Sequence, residues 1–279
     1  MVKSSVILVV LAIGQSFVLF TKNIDVSVGS SMGLSAAVCG MLLTNEYSAS
    51  LSIFAAITLG AIIGFVNGMG VAKFRVPAII MTLGMLGIIR GAMLIFTGGK
   101  WIEDIPNDFK QLSSIVILGL PITVWFVLII LLLLYFFLRK VPFGRCFYAV
   151  GDNEDGARLI GIPVNKVKIC AFIISGISAA LAGCIFVMNI GFIPNQTGTG
   201  LELQVIAAAV LGGIHLKGGT GSLFGAALGA LFLETISSSL VFLKIPAFWN
   251  NAISGFLLLL IIILDSVMKK WKAERRMNL

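Results

Sequence analysis

The sequence predicts an all-α protein that crosses a membrane many times. Of its 279 residues, 58% are hydrophobic and only 11% are charged, whereas soluble domains carry about a quarter charged residues. The apolar residues form long runs, and a helix needs about 20 of them to cross the hydrocarbon core. Because a soluble protein of this size could not bury so much apolar surface, the surplus is expected to face lipid or other helices inside lipid.

Nine such runs follow one another, and we expect the whole of 1–279 to form one transmembrane domain. The second and seventh runs are short and rich in Gly and Ser, so they are the weakest candidates for full crossings. The predicted spans are 5–20, 28–43, 50–71, 77–97, 115–138, 169–190, 201–215, 221–243 and 250–266.

The basic residues predict the orientation, because Lys and Arg accumulate in the cytoplasmic loops of membrane proteins. The segment 139–168 and the C-terminal tail are the most basic parts of the chain, so both are predicted to be cytoplasmic. The alternation of spans then places Lys73 and Arg75 inside and Met1 outside. The net charge of +8 therefore indicates topology and contact with membrane lipid, and we expect no nucleic-acid partner.

The two halves of the chain resemble each other. Leu34–Gly40 is similar to Ile206–Gly212, and each is followed by three glycines at intervals of four residues. The first block begins inside and the second outside, which predicts inverted repeats of the kind found in transporters. Glycines on one helix face let helix backbones approach closely; the alternative is that Gly and Ala recur in any membrane helix. The predicted packing glycines are Gly60, Gly64, Gly68, Gly221, Gly225 and Gly229.

Signatures of enzymes and metal sites are absent from the sequence. The four cysteines show no C-x-x-C spacing and there is a single histidine, so we expect no metal and no cofactor. No nucleophile–base motif is present, and Gly98-Gly99-Lys100 lacks the rest of a phosphate-binding loop. These absences argue against an enzyme.

The basic segment 139–168 is too long for a simple connector between helices. Within it, Asp152 or Asn153 can cap a short helix, Gly161 can end it and Pro163 prevents its continuation. A capped helix in a cytoplasmic loop is a candidate docking element, and an ordinary connector is the alternative.

Four segments then carry a specific resemblance: Phe143-Gly-Arg145, Ala149–Asn153, Ala157–Val164 and Thr21–Ser30. They resemble the ribose-type permeases of ATP-binding-cassette importers, and the similarity covers nearly the whole chain. It implies a bacterial inner-membrane location, a second permease forming a heterodimer, cytoplasmic ATP-binding subunits and an extracytoplasmic solute-binding protein. It also makes 139–168 the coupling loop to the ATPase, with Asn153, Asp155, Ala157, Arg158, Gly161 and Ile162 as the coupling residues.

Three further segments, Thr97–Glu103, Ile190–Glu202 and Ile245–Asn250, resemble the branch of this family that imports autoinducer-2. The scarcity of charges in the spans independently favours a neutral, hydroxyl-rich solute. Family members usually begin with a further membrane helix, so we expect that one helix is missing at the N-terminus of this chain.

Polar residues interrupt the apolar pattern before the second and seventh spans. They are predicted to line the solute path or its gate, because polar groups near hydrocarbon tend to face a cavity or a partner; capping of the following helix is the alternative. The predicted solute-path residues are Asp25, Ser27, Ser30, Asn195, Gln196 and Glu202. Arg90 and Glu234 lie inside spans, where a structural bridge across helices is favoured over contact with solute.

The sequence therefore predicts the transmembrane subunit of an ATP-driven importer. An ion-coupled secondary transporter is the alternative within the same class, because inverted repeats fit both. An intramembrane enzyme is the alternative from another class, and the absence of a nucleophile–base pair argues against it.

Overall fold

The computed structural model describes residues 2–244 and, beyond them, Trp249, Ala252, Ile253, Gly255, Phe256, Leu259, Leu260 and Ile263. Apart from these isolated positions, the predicted span 250–266 and the basic tail lie outside the described residues. The described part is predominantly helical, which confirms the predicted all-α class.

Eleven helices and one short hairpin make up residues 2–244. The first five helices are α1 (Val2–Phe20), α2 (Val28–Thr44), α3 (Ala49–Ala72), α4 (Ala78–Thr97) and α5 (Asn107–Leu112). The strands β1 (Val116–Ile117) and β2 (Leu120–Pro121) follow. The remaining helices are α6 (Ile122–Lys140), α7 (Pro142–Asp152), α8 (Glu154–Leu159), α9 (Val164–Ile190), α10 (Leu201–Leu211) and α11 (Leu223–Phe242).

Helix α9 forms the centre of the protein and packs against α1, α2 and α3. Of its apolar window, 61% is buried inside the protein, against 17% for α4 and 22% for α6. The outer helices therefore present their apolar side chains outwards, as Ile95 at 85% exposure and Leu133 at 64% illustrate. Such a surface is stable only in lipid or against another membrane helix.

Five of the described helices are long and apolar enough to cross a membrane: α3, α4, α6, α9 and α11. The apolar part of α1, together with α2 and α10, is shorter. The predicted spans 28–43 and 201–215 correspond to α2 and α10. At 11 residues, and about 1.5 Å per residue, α10 reaches only about halfway through the bilayer core.

The predicted span 115–138 begins seven residues too early. Residues 116–121 form an antiparallel hairpin in which Val116 pairs with Pro121 and Ile117 with Leu120. The turn residues Leu118 and Gly119 both have positive φ, at 50° and 79°, as a type I′ hairpin turn requires. Helix α6 starts only at Ile122, so apolar composition alone misjudged this boundary.

The two ends of the helix bundle are held together by different loops. At one end, the Gly219 N–H donates to the Phe20 carbonyl over 3.0 Å, and Gly151 packs against the same carbonyl. At the other end, Ile102 and Ile193 form an antiparallel bridge. Each end joins loops that the charge pattern assigns to one side of the membrane, cytoplasmic for the first and external for the second.

Candidate functional site: the cytoplasmic loop and two helix breaks

The cytoplasmic loop contains a short helix with the caps that its sequence predicts. The side chain of Asn153 accepts a hydrogen bond from the Gly156 N–H over 2.9 Å at the start of α8. Gly161 follows the helix with a φ of 82°, a left-handed conformation that favours glycine. The preceding residues form a second helix, α7, which sequence analysis missed.

Glu154 binds α8 to the start of α9. Its carboxylate accepts from Arg158 over 2.8 Å and from Lys168 over 2.6 Å. Partial burial tends to raise the pKa of Glu154, but the hydrogen bonds and positive charges of Arg158 and Lys168 outweigh it, so this pKa lies below its ordinary value. The carboxylate is therefore ionised, and it fixes the orientation of α8 at neutral pH.

The tip of α8 is apolar and exposed. Leu159 is 88% and Ile160 76% exposed, whereas Ala157, one turn earlier, is 3% exposed and belongs to the protein's own core. Ala157 was predicted to be a coupling residue; its side chain packs inwards, so its part in coupling stays a prediction. Asp155, Arg158 and Gly161 are exposed and Ile162 is half-buried against the core.

Helix α7 connects α8 to the membrane-spanning helices. Phe147 is fully buried and its ring meets that of Phe17 on α1 at 5.2 Å, edge to face. The ring of Tyr148 lies 4.5 Å from that of Phe20. Gly151 packs so closely on the Phe20 carbonyl that an added Cβ would overlap it. A displacement of α7 must therefore displace the end of α1.

An opening of about 530 Å³ separates α8 from the turn between α3 and α4. Asn23, Arg75, Glu154 and Lys168 are among the residues that line it. This opening leaves free space on one side of α8. On its other sides, α8 is attached through α7 and the Glu154 ion pairs.

The helix break before α2 is a buried polar cluster. The carboxylate of Asp25 accepts from the Ser27 hydroxyl over 2.6 Å and from the Ser175 hydroxyl over 2.9 Å. The Asn67 amide donates to the Ser27 hydroxyl over 2.9 Å. Asp25, Ser27 and Ser30 are at most 2% exposed. Ser27 and Asp25 tie the start of α2 to α3 and α9, and the part of these residues in the solute path stays a prediction.

The second break, residues 191–200, runs between α9 and α10. Asn195 donates to the Gly99 carbonyl over 2.9 Å near the external end. The carbonyls of Gln196 and Thr197 accept from Arg90 on α4, over 3.5 and 3.3 Å. Glu202 follows in the first turn of α10. Asn195 thus makes a contact between external loops, whereas Gln196 and Glu202 belong to a deeper group that includes Arg90.

The two breaks meet inside the protein. Gly29, at the start of α2, lies against the Gly198 carbonyl, just before α10. Helix α2 runs from this point towards the external end and α10 towards the cytoplasmic end. The N-termini of two short helices therefore face one region from opposite directions, an arrangement used in transporters with discontinuous helices.

The predicted packing glycines fall into two helix contacts. Gly60 and Gly64 on α3 lie against the backbone of α9, and Gly68 lies beside Ile169. Gly225 and Gly229 on α11 lie against the C-terminal end of α10. The remaining position, Gly221, precedes the helix with a φ of 137°, so it is not on the same helix face and that assignment is wrong.

Sequence analysis missed two residues of the buried cluster, Asn67 and Ser175. Both are fully buried and both hydrogen-bond to the segment before α2. Asn67 was detectable, because an amide within an apolar span is costly and commonly has a specific partner. Ser175 carries no such signal, since serine is common in membrane helices.

Comparison with known proteins identifies the family of the chain. A family model described as "Branched-chain amino acid transport system / permease component" matches residues 1–262. The chain belongs to this permease family. The permease is a multi-pass protein of the bacterial inner membrane, and it is a transport subunit, not an enzyme.

Curated relatives of the permease cover most of its length. The Autoinducer 2 import system permease protein LsrC of Salmonella paratyphi B is 52% identical over 94% of this chain and 76% of that protein. The proteins of the same name from Escherichia coli and Photorhabdus laumondii are each 51% identical over 94% of this chain, and over 77% and 79% of their own lengths. No solved structure matches the permease.

Proposed function

We propose that this permease is the membrane subunit of an ATP-binding-cassette importer that carries autoinducer-2, or a similar small sugar-like solute, into the cytoplasm. The identity to import permeases over 94% of the chain supports the solute. Its partners are a second permease, most simply in a heterodimer, cytoplasmic ATP-binding subunits and an extracytoplasmic solute-binding protein.

The exposed apolar tip of α8 is the observation that carries the proposal. Leu159 and Ile160 project from a capped helix, and exposed apolar side chains beside charged ones are typical of a protein interface. The tip is attached through α7 to Phe17 and Phe20 of α1. A force from a cytoplasmic partner would therefore reach the membrane helices through packed side chains and not through a flexible loop.

The meeting of α2 and α10 supports an alternating-access pore built from inverted repeats. Each helix begins at a polar break, and the two breaks enter from opposite sides of the protein. In this proposal the full bundle has nine spans, with the ninth at 250–266.

Charged substitutions at the α8 tip test the coupling role. Because both side chains are exposed, Leu159→Asp combined with Ile160→Asp should leave insertion and the melting temperature unchanged. The ATP-binding subunits should no longer co-purify, and uptake should fall at least tenfold, as expected for loss of central apolar contacts worth about 2 kcal/mol or more. Leu118→Asp, at an exposed apolar residue of the external hairpin turn, is the control.

Uptake by vesicles containing the complete reconstituted complex tests the solute and the energy source. Autoinducer-2 uptake should require ATP and should resist competition by ribose. Uptake that persists without ATP but collapses with the proton gradient would instead favour an ion-coupled secondary transporter. Recovery of chemically altered solute would favour an intramembrane enzyme.

A further inference from the structure

Arg90 on α4 lies beside the point where the two helix breaks meet. One terminal nitrogen, Nη1, donates to the Thr197 carbonyl over 3.3 Å. The other, Nη2, is buried and has no hydrogen-bond partner among the residues that the structure describes. A guanidinium is permanently charged and carries five N–H donors, so an unused buried nitrogen within a membrane protein requires an explanation.

Glu202 presents the complementary group. Its Oε1 accepts from the Gly200 N–H over 3.3 Å, while Oε2 is buried and, within the described part of the chain, accepts no hydrogen bond. Glu202 lies in the first turn of α10, and a Cβ built on Gly29 at the start of α2 would lie 2.7 Å from Oε2. The positive ends of two helix dipoles therefore lie beside this side chain.

Arg90 and Glu202 contact the same helix break, at the Thr197 carbonyl and the Gly200 N–H, yet they form no direct ion pair. Among the described residues, ion pairs with nitrogen–oxygen distances within 4.0 Å involve only Glu154. Arg90 and Glu202 are thus each held by hydrogen bonds to nearby backbone groups. Within the described residues, Nη2 of Arg90 and Oε2 of Glu202 have no hydrogen-bond partner.

We propose that Arg90 Nη2 and Glu202 Oε2 form a solute-binding site in the permease itself, which takes a small neutral solute with adjacent hydroxyl groups. One hydroxyl of such a solute accepts from the guanidinium while its neighbour donates to the carboxylate. The inference rests on the proposed function, since it assigns that import path a site with measurable affinity. No net charge is needed on the solute, because the site's own charges balance.

The position of the pair agrees with this role. Arg90 is anchored on the break that enters from the external end, and Glu202 lies at the start of the helix that leads to the cytoplasmic end. Nη2 of Arg90 and Oε2 of Glu202 are both buried, so a solute would reach them when the pore opens. A solute held where the two breaks meet would lie between the two ends of the path, as alternating access requires.

Uptake kinetics of the reconstituted complex test the site. Arg90→Gln and Glu202→Ala should each raise the KM for autoinducer-2 by about tenfold or more, the usual effect of losing a hydrogen bond to a charged group. Glu202→Gln keeps the size of the side chain and should raise KM less than Glu202→Ala does. If the alanine variant fails to assemble, the KM of Glu202→Gln tests the site. Glu234→Gln removes a different intramembrane carboxylate and should leave KM unchanged.

Direct binding separates failure of the site from failure of the proposed function. In the absence of the binding protein, autoinducer-2 should raise the melting temperature of the wild-type complex and not that of Arg90→Gln. If wild-type uptake is ATP-driven but KM and the thermal shift are unchanged in both variants, the site is wrong and the importer stands. If wild-type uptake does not need ATP, the importer is wrong, and the thermal shift still tests the site. Restoration of wild-type KM by the charge swap Arg90→Glu with Glu202→Arg would reveal an ion pair and overturn the site.

Discussion

Glu154 shows how a single side chain can fix the geometry of a docking element. Its carboxylate forms salt bridges with Arg158 of its own helix and with Lys168 of α9. The sequence predicted the caps of α8, because capping depends on neighbours within a few residues. It did not predict the Lys168 contact, because that contact depends on the angle between α8 and α9.

The ion pairs of Glu154 make part of the stability dependent on pH. Since the folded state lowers the pKa of Glu154, its contribution is complete above the ordinary glutamate pKa of about 4.3 and is lost as the pH falls through the lowered value. At pH 7, Glu154→Gln should lower the free energy of unfolding by about 1 kcal/mol or less, because the pairs are partly exposed.

Melting temperatures in detergent check this expectation. Wild type and Glu154→Gln should differ at neutral pH and converge once the pH has fallen below the lowered pKa of Glu154, where both side chains are neutral. Asp155→Asn, a change at the exposed neighbouring carboxylate, is the control and should melt like wild type. An equal difference at both pH values would contradict the role of the carboxylate.

At the scale of elements, α3 and α9 are joined backbone to backbone. Gly60 on α3 and Gly176 on α9 each lie against the carbonyl of the other, and Gly64 lies against the Phe172 carbonyl. The spacing of the glycines predicted a close crossing but not its partner, because a repeat of four residues identifies a helix face and not the helix opposite. The partner Gly176 lies outside any glycine repeat.

Alanine substitutions on two membrane helices should therefore have opposite effects. Gly64→Ala places a methyl group onto the α9 backbone and should destabilise the protein by about 1–3 kcal/mol. Gly87→Ala on α4 meets nothing within 4 Å and should be neutral or slightly stabilising, since alanine favours helix by about 1 kcal/mol. Thermal unfolding in detergent measures both, and equal melting temperatures would show that the contact is not tight.

The two shorter helices α2 and α10 mark the limit of what composition can reveal. Their shortness was evident in the sequence, so they were predicted to be the weakest candidates for full crossings. That Gly29 and Gly198 touch was not evident, because the contact joins segments far apart in the chain. The position of each break is set by packing between helices, of α2 against α9 and of α10 against α1 and α11, which no local pattern encodes.

For the whole molecule, the basic loops and the observed contacts give one orientation. The loops around Phe20, Gly151 and Gly219 meet at one end, and those around Ile102 and Ile193 at the other. The charge pattern could predict this sorting because it depends only on the order of spans. It could not predict α7, whose polar and apolar residues are mixed over a short segment.

Labelling of introduced cysteines tests the orientation. Tyr47 and Asp155 are exposed at opposite ends. An impermeant maleimide should label Tyr47→Cys in intact spheroplasts, whereas Asp155→Cys should react only after the membrane is opened. Cys146→Ser serves as the background, because Cys39 and Cys184 are buried. The reverse pattern would invert the assigned topology.

The glycine contact between α3 and α9 also has a mechanical consequence. Where main chains touch without intervening side chains, one helix cannot rotate or slide past the other unless a Cβ enters the space of a carbonyl. The two helices therefore move as one rigid unit. Helices α4 and α6 have the smallest buried fractions of the long apolar helices, so a conformational change of the pore is expected to displace them while α3 and α9 keep their contact.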